Sequence, residues 1–415
     1  MPKLSEAGKH ALDELVAQTA REGRLPGFVL AVSNVDEQIY ANAAGNRVYG
    51  DPSSPAVTPE DSVFWICSMT KLLAALAALQ LIEQGKLAFD TPVSKFFKEF
   101  ESAVVLQDPH TDPDPKFKPA EKAVTVNHLI THSSGLYYGT LPTDTSAIRH
   151  RLPIGYTFEY EEGEDKYSKF FEQVKGKYPG IPLIFEPGTA FCYGYSSDVL
   201  GFIVEKVSGQ SLEAYSQQHI FGPLGVKNTY HLTAELRERL VELCFRNPDG
   251  SISGWEDRLP LIPRYPKPVA MNLGGVGSYS TLPDYLAILR HLLQIEAGRN
   301  PPNAILKQET VKSLFQPKLT PLGGQMLTAI VGFLDPSSAH DLDWGNGFAV
   351  NTADWEGRRK AGSGFWSGWA GTWYFLDPKT GIALVFGSQI VPPMDVVTAE
   401  IAEKAERIVY ANLED

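Results

Sequence analysis

The sequence predicts an α+β fold: an antiparallel sheet built from both ends of the chain and flanked by helices, with a mainly helical region inserted in the middle. Three observations lead there. Strand-like runs lie at 27–33 and 38–44 and return at 347–351, 371–376 and 382–388. The middle of the chain carries runs of helical length instead, 197–207 and 212–221 among them. No low-complexity linker or sustained charge run divides the chain, and 415 residues with 43% hydrophobic content can bury a large core. The expected organisation is a single domain over 1–415, with an α/β part at about 1–70 and 270–415 and a helical part at about 71–269.

The elements follow in order. Residues 2–24 are polar with periodic Leu, Val and Ala, which reads as an amphipathic helix and lacks the apolar stretch of a signal peptide. Asn34, Val35, Asp36 and Glu37 separate the first two strand runs and predict a hairpin. Residues 62–66 lead into an apolar run at 72–87, so rich in Leu and Ala that a buried helix is expected, stopping at Gln84-Gly85. A short helix at 124–130 ends at His132-Ser133-Ser134-Gly135. Residues 137–185 are aromatic, acidic and Pro-rich with weak periodicity, the composition of a lid or binding wall. Pro187-Gly188 opens a turn before Tyr193, a Gly- and Ser-rich turn at 274–280 feeds a helix at 283–293, and a helix at 396–411 closes the chain.

A net charge of −12 and a pI near 5.3 argue against nucleic acid or an anionic membrane surface as partner. No uncharged apolar stretch reaches the roughly eighteen residues of a membrane span. Three cysteines, Cys67, Cys192 and Cys244, and no Asn-x-Ser/Thr sequon point to reduced thiols and a cytoplasmic protein. Cys67 and Cys192 each precede a candidate catalytic residue and read as small buried hydrophobes.

The chemistry starts at Ser68. It stands at the head of the 72–87 helix with Lys71 three positions on, and no other Ser in the chain has a Lys at that spacing. A Ser there has backbone N–H groups and the positive helix end beside its hydroxyl, and the Lys shares its face. A desolvated amine can be neutral near pH 7 and take the Ser proton, an activated nucleophile without any His. Competing motifs fail: no Ser sits in Gly-x-Ser-x-Gly. His128 and His132 are spaced i, i+4 but lack the Glu and third ligand of a metal site, so a structural role is expected. Gly274-Gly275-Val276-Gly277 has no phosphate-loop Lys and reads as a tight turn.

Four stretches together resemble the serine β-lactamase and penicillin-binding-protein superfamily, in its class C-like branch. Ser68-x-x-Lys71 before an Ala/Leu helix is similar to the first motif, and Pro187-Gly188-Thr189 followed by Tyr193 to the second. Residues 124–136, ending His132-Ser133-Ser134-Gly135-Leu136, and residues 274–281 are similar to further signatures, all in family order. The resemblance implies a β-lactamase-like fold, with Ser68, Lys71 and Tyr193 as catalytic residues and the backbone N–H groups of Ser68 and Trp369 as oxyanion hole. It departs at the third motif. Lys-Thr-Gly is missing, and Trp366-Ser367-Gly368 stands there, similar to the Trp-x-Gly form of family VIII carboxylesterases and to the fungal acyltransferases that attach the lovastatin side chain. The Asn of the second motif is Tyr195 here. Losing that cation and that amide disfavours β-lactams and D-amino peptides, and an uncharged wall of Trp366, Gly368 and Tyr195 suits neutral esters. The expectation is therefore a carboxylesterase, with acyltransfer from an ester or thioester donor as alternative and a β-lactamase or peptidase as a distant third. No cofactor or metal is called for; the partner is a small-molecule ester, and the oligomeric state stays open. A non-catalytic binding protein on this scaffold would not need Ser68, Lys71 and Tyr193 together.

Overall fold

Residues Phe28–Asn34 alternate between two cores: Phe28, Leu30 and Val32 enter one cluster, Val29 and Ala31 the other. Ile382–Gly387 does the same, with Ile382, Leu384 and Phe386 on the first side and Ala383 and Val385 on the second. That period of two is what a strand covered on both faces requires. In the computed structural model, which describes residues 2–107, 115–138, 153–157, 165–255, 269–334, 341–393 and 395–414, these runs are neighbours at the centre of a seven-stranded antiparallel sheet. We label its strands β1 (Phe28–Asn34), β2 (Gln38–Ala44), β3 (Leu342–Trp344), β4 (Ala349–Asn351), β5 (Gly364–Gly368), β6 (Thr372–Asp377) and β7 (Ile382–Gly387). Their order across the sheet is β3-β4-β5-β6-β7-β1-β2. The sheet is thus assembled from both ends of the chain, as the strand pattern predicts.

Six helices frame it: α1 (Glu6–Arg21), α2 (Thr70–Glu83), α3 (Ser196–Ser208), α4 (Leu282–Glu296), α5 (Pro321–Leu334) and α6 (Val396–Ala411). Helices α1 and α6 cover one face through Leu12, Val16, Ile401 and Ala405. On the other face α4 packs through Leu282, Leu286 and Leu289. Side-chain caps fix where these helices begin: Ser5 accepts from Gly8 N–H, Thr281 from Asp284 N–H and Asp395 from Thr398 N–H.

Helix α2 has no polar face, and every residue from Thr70 to Leu81 is buried. It lies against α3, and the turn at 274–277 wedges between them. A Cβ on Gly274 would fall 2.4 Å from the Ser197 carbonyl oxygen and 3.1 Å from Ala74 Cβ, so only glycine lets that turn approach both helices. The helix ends one turn earlier than its apolar run, at Gln84 and the left-handed Gly85.

Several elements were not anticipated, four of them near the sheet or the expected lid. Strand β5 is interrupted by small residues, and β3 is only three residues long. Helix α5 opens Pro321-Leu322-Gly323-Gly324, poor helix formers that hide it from periodicity. Within the expected lid segment, Lys166–Lys175 is a capped helix, while residues 139–152 and 158–164 of that segment lie outside the described residues. The run at 212–221 is not one α-helix but Leu212–Ser216 followed by a wider π-helical turn, Gln217–Phe221. No helix among the described residues is long and apolar enough to cross a membrane.

Candidate active site

Ser68 sits in the tight turn Cys67–Met69 that feeds α2. The turn is forced: Cys67 holds φ +48, a left-handed value that costs a non-glycine residue about 1–3 kcal/mol and collects at functional sites. Its price is met by packing from β5. A Cβ on Gly368 would fall 2.1 Å from Thr372 Oγ1 and 2.6 Å from the Ile66 carbonyl oxygen, so the strand lies directly against the Ser68 turn. Gly368 is buried, and what it contributes is this close approach. The peptide N–H of Trp369, one residue beyond the strand, reaches the Cys67 thiol, which places it beside the turn that carries Ser68.

Lys71 is 2% exposed, and its amine has three hydrogen-bond partners. Nζ donates to Ser68 Oγ at 3.1 Å, to Tyr138 Oη at 3.2 Å and to the Gly275 carbonyl oxygen at 2.8 Å. Three donors meeting three acceptors is the arrangement a charged Lys needs when buried. The ring of Tyr193 lies across the same amine, its centroid 4.6 Å from Nζ. Tyr193 Oη in turn accepts from Trp366 Nε1 at 3.0 Å. Ser68, Lys71, Tyr193 and Trp366 therefore meet in one place, from three separate stretches of sequence.

Behind Tyr193 stands an aromatic stack. His132 packs on Tyr193 with centroids 5.4 Å apart and on Trp344 at 4.9 Å, and Trp344 contacts Trp366 at 4.7 Å. His132 also holds a positive φ, +53. Burial, and secondarily the charge of Lys71, push its imidazole down to about 3, so it is a neutral spacer. His128 is likewise structural: its Nδ1 accepts from Thr125 N–H in a capping box. Among the described residues no cluster of His, Cys, Asp and Glu is placed to hold a metal ion.

Tyr195 lies one layer back from the cleft. It is 2% exposed, its hydroxyl accepts from Gly155 N–H, and its ring meets Tyr138 edge-on at 4.9 Å. It supports Tyr138 and has no surface to offer a substrate, which corrects its expected place in the substrate wall. Trp366 and Trp369 are half-buried; Trp369 packs on Trp65 and Trp255 at 6.0 and 5.3 Å. All three cysteines are buried and free, and burial pushes the Cys67 thiol up to about 11, which removes it as a rival nucleophile.

Sequence reasoning missed three polar groups. Tyr138, Tyr156 and Asp198 form a chain that ends on Lys71: Tyr138 Oη lies 3.1 Å from Tyr156 Oη, and Tyr156 donates to Asp198 Oδ2 at 2.6 Å. Asp198 Oδ1 accepts from Gly275 N–H at 2.8 Å. Burial pushes the Asp198 carboxyl up to about 6, against the opposing pull of Lys71 and of its two hydrogen bonds. The one signal available was the acid Asp198, directly ahead of the apolar residues 199–204 of a helical run.

The chain is similar to known proteins along nearly its whole length. The chain is 29% identical over 392 residues to the lovastatin esterase of Penicillium rubens, covering 90% of this chain and 91% of the relative. It is 26% identical over 412 residues to the monacolin J acid methylbutanoyltransferase of Aspergillus terreus, 95% of this chain and 94% of that one. Its fold is that of unliganded simvastatin synthase (LovD) from Aspergillus terreus, with a TM-score of 0.79 over 97% of this chain and 98% of that one at 23% identity. Residues 12–407 match the Beta-lactamase family, and the chain belongs to it.

Proposed function

We propose that the protein is a serine carboxylesterase that cleaves neutral, largely apolar esters through an acyl-enzyme on Ser68. The carrying observation is the buried contact of Lys71 Nζ with Ser68 Oγ, with the Tyr193 ring over the same amine and an indole where a β-lactam enzyme has a cation. Because all three Lys71 protons are already directed at acceptors, Lys71 acts as an ammonium, and proton acceptance passes to Tyr193. This reverses the division of labour that Ser68-x-x-Lys71 alone suggests. Ser68 Oγ attacks the ester carbonyl and its proton moves to Tyr193, which must enter the step as the phenolate paired with the Lys71 ammonium. The backbone N–H groups of Ser68 and Trp369 receive the oxyanion. Collapse breaks the bond to the alkoxide, which leaves with that proton, and water repeats the sequence to release the acid.

Acyltransfer is the second reading, supported by the likeness along nearly the whole chain to a methylbutanoyltransferase. It uses the same acyl-enzyme with an alcohol in place of water. One experiment tests both: intact-protein mass after mixing with p-nitrophenyl butyrate, with and without alcohols, while p-nitrophenol release is followed. A butyryl adduct absent from Ser68→Ala, with release indifferent to alcohols, supports the esterase. Release that is slow in water and accelerated by an alcohol with ester formation supports the transferase. An adduct retained in Ser68→Ala overturns both.

A further inference from the structure

The reading of Ser68 as nucleophile leaves one buried acid without a role. Asp198 is fully buried in α3, and a carboxylate there is costly unless something depends on it. Its hydrogen bonds have a direction. Tyr156 donates to Asp198 Oδ2, so the proton between Tyr138 and Tyr156 must come from Tyr138, whose oxygen is then free to accept from Lys71. Every donor points from Lys71 toward Asp198. Burial holds both phenols well above the ordinary phenol range, which keeps those protons in place. A second arm runs through one residue: Gly275 donates its N–H to Asp198 Oδ1 and accepts from Lys71 at its carbonyl. Both oxygens of the acid are thus tied to the catalytic amine by separate routes, and the groups facing Asp198 are Lys71, Tyr138, Tyr156 and Tyr230, of which only Lys71 is a cation.

We propose that Asp198 is a positioning residue that, through Tyr138–Tyr156 and through the backbone of Gly275, holds Lys71 as an ammonium aimed at Ser68. The alternative, a purely structural polar patch, would stabilise the fold without reaching the reaction. The two arms make this network different from a single ion pair. Asp198 never touches Lys71, so the amine keeps a proton free for Ser68 while its charge is compensated at a distance. Tyr230 and the neighbouring Cys67 and His132 are neutral groups around this pair, and Tyr193, whose ring lies over the same amine, is the remaining titratable neighbour of Lys71.

The test compares Asp198→Asn, Tyr156→Phe and the double variant with the full-length wild type, each with its melting temperature. For each, p-nitrophenyl butyrate turnover is followed from pH 6 to pH 10 and Ser68 acylation is counted by mass. Asp198→Asn removes the charge and keeps the shape. Its alkaline limb should move down by roughly one pH unit, because an ammonium without its counter-charge loses its proton sooner, and kcat should fall about tenfold with KM little changed. Tyr156→Phe cuts one arm and should give a smaller shift in the same direction. The double variant should lose no more than Asp198→Asn alone, since Tyr156 acts through the acid. An unmoved alkaline limb in a folded Asp198→Asn enzyme that still acylates Ser68 overturns the inference, as does an additive double variant. If Asp198→Asn fails to fold, Tyr156→Phe alone decides by its limb. Failure of wild-type Ser68 to acylate strikes the functional reading instead, so the two failures are distinguishable.

Discussion

Trp366 donates its indole N–H to the phenol oxygen of Tyr193 at 3.0 Å. The strand that stands where a Lys-Thr-Gly motif would be therefore still sends a hydrogen-bond donor to Tyr193, but an uncharged one on an apolar ring. The substitution keeps the phenol oriented while withdrawing the cation that would attract a substrate carboxylate. Trp366→Phe keeps the wall and deletes the donor. We expect kcat to fall about tenfold, the worth of one hydrogen bond to the oxygen that exchanges the proton, with KM nearly unchanged. A rise in KM without loss of kcat would mean that Trp366 only binds substrate.

The three central residues should fail in distinct ways. Ser68→Ala should give no acyl-enzyme in the mass spectrum. Lys71→Ala and Tyr193→Phe should each lower kcat on the order of a hundredfold or more. Their double variant should lose far less than the product of the two losses if they act as one unit. Full additivity in steady-state turnover would argue for independent roles.

Gly275→Ala tests the backbone arm. The new Cβ would lie 2.6 Å from Asp198 Oδ2 and 2.7 Å from Tyr156 Oη, and both belong to packed, buried groups that cannot swing away. We expect a loss of about 1–3 kcal/mol in chemical denaturation together with roughly a tenfold loss in kcat. Gly254→Ala, with no atom within 4 Å of its Cβ, is the control and should change neither.

Much of this was readable from the sequence, and the exceptions share a cause. Strand-like runs marked β1, β2 and β7 to within a residue at each end, and the closing helix α6 was placed at both ends, because such patterns are local. Ser68 and Lys71 were legible because one helical turn puts them together. Tyr138, Tyr156 and Asp198 were not, because their adjacency exists only after α2, α3 and the 274–277 turn have packed. Helix α5 was hidden by its glycines, yet Gly324 is what lets it sit 3.1 Å (as a Cβ) from the Leu342 carbonyl oxygen of β3. Tyr195 was assigned to the substrate wall by its place in a motif, and packing against Phe170 and Tyr138 set it behind that wall.

Acid should weaken the fold through His132. Its imidazole is held down to about 3 and that of His291 to about 4, both by burial, against an ordinary 6.5. A depressed imidazole means the unfolded chain binds the proton first, so stability is full above about pH 6.5 and is lost as pH falls toward the folded values. Asp198, pushed up to about 6, works the other way: its contribution is present below 3.8 and lost as pH rises through 6. Two imidazoles outweigh one carboxyl, so the melting temperature should drop between about pH 7.5 and about pH 5. His132→Gln should flatten that drop; an unchanged slope by calorimetry would exclude His132 as its source.

The sheet that joins both ends of the chain also sets when the enzyme can exist. Trp65, three residues before the nucleophile, exchanges two backbone-to-side-chain hydrogen bonds with Gln389 across 324 positions of sequence. Strand β1 waits for β7. On the ribosome, Ser68 emerges early but has no strand to brace its turn until the last tenth of the chain follows, and pairings this distant form slowly. A chain that lacks the residues from Ile382 onward has no partner for β1, so loss of that segment would disturb the Ser68 turn without touching it.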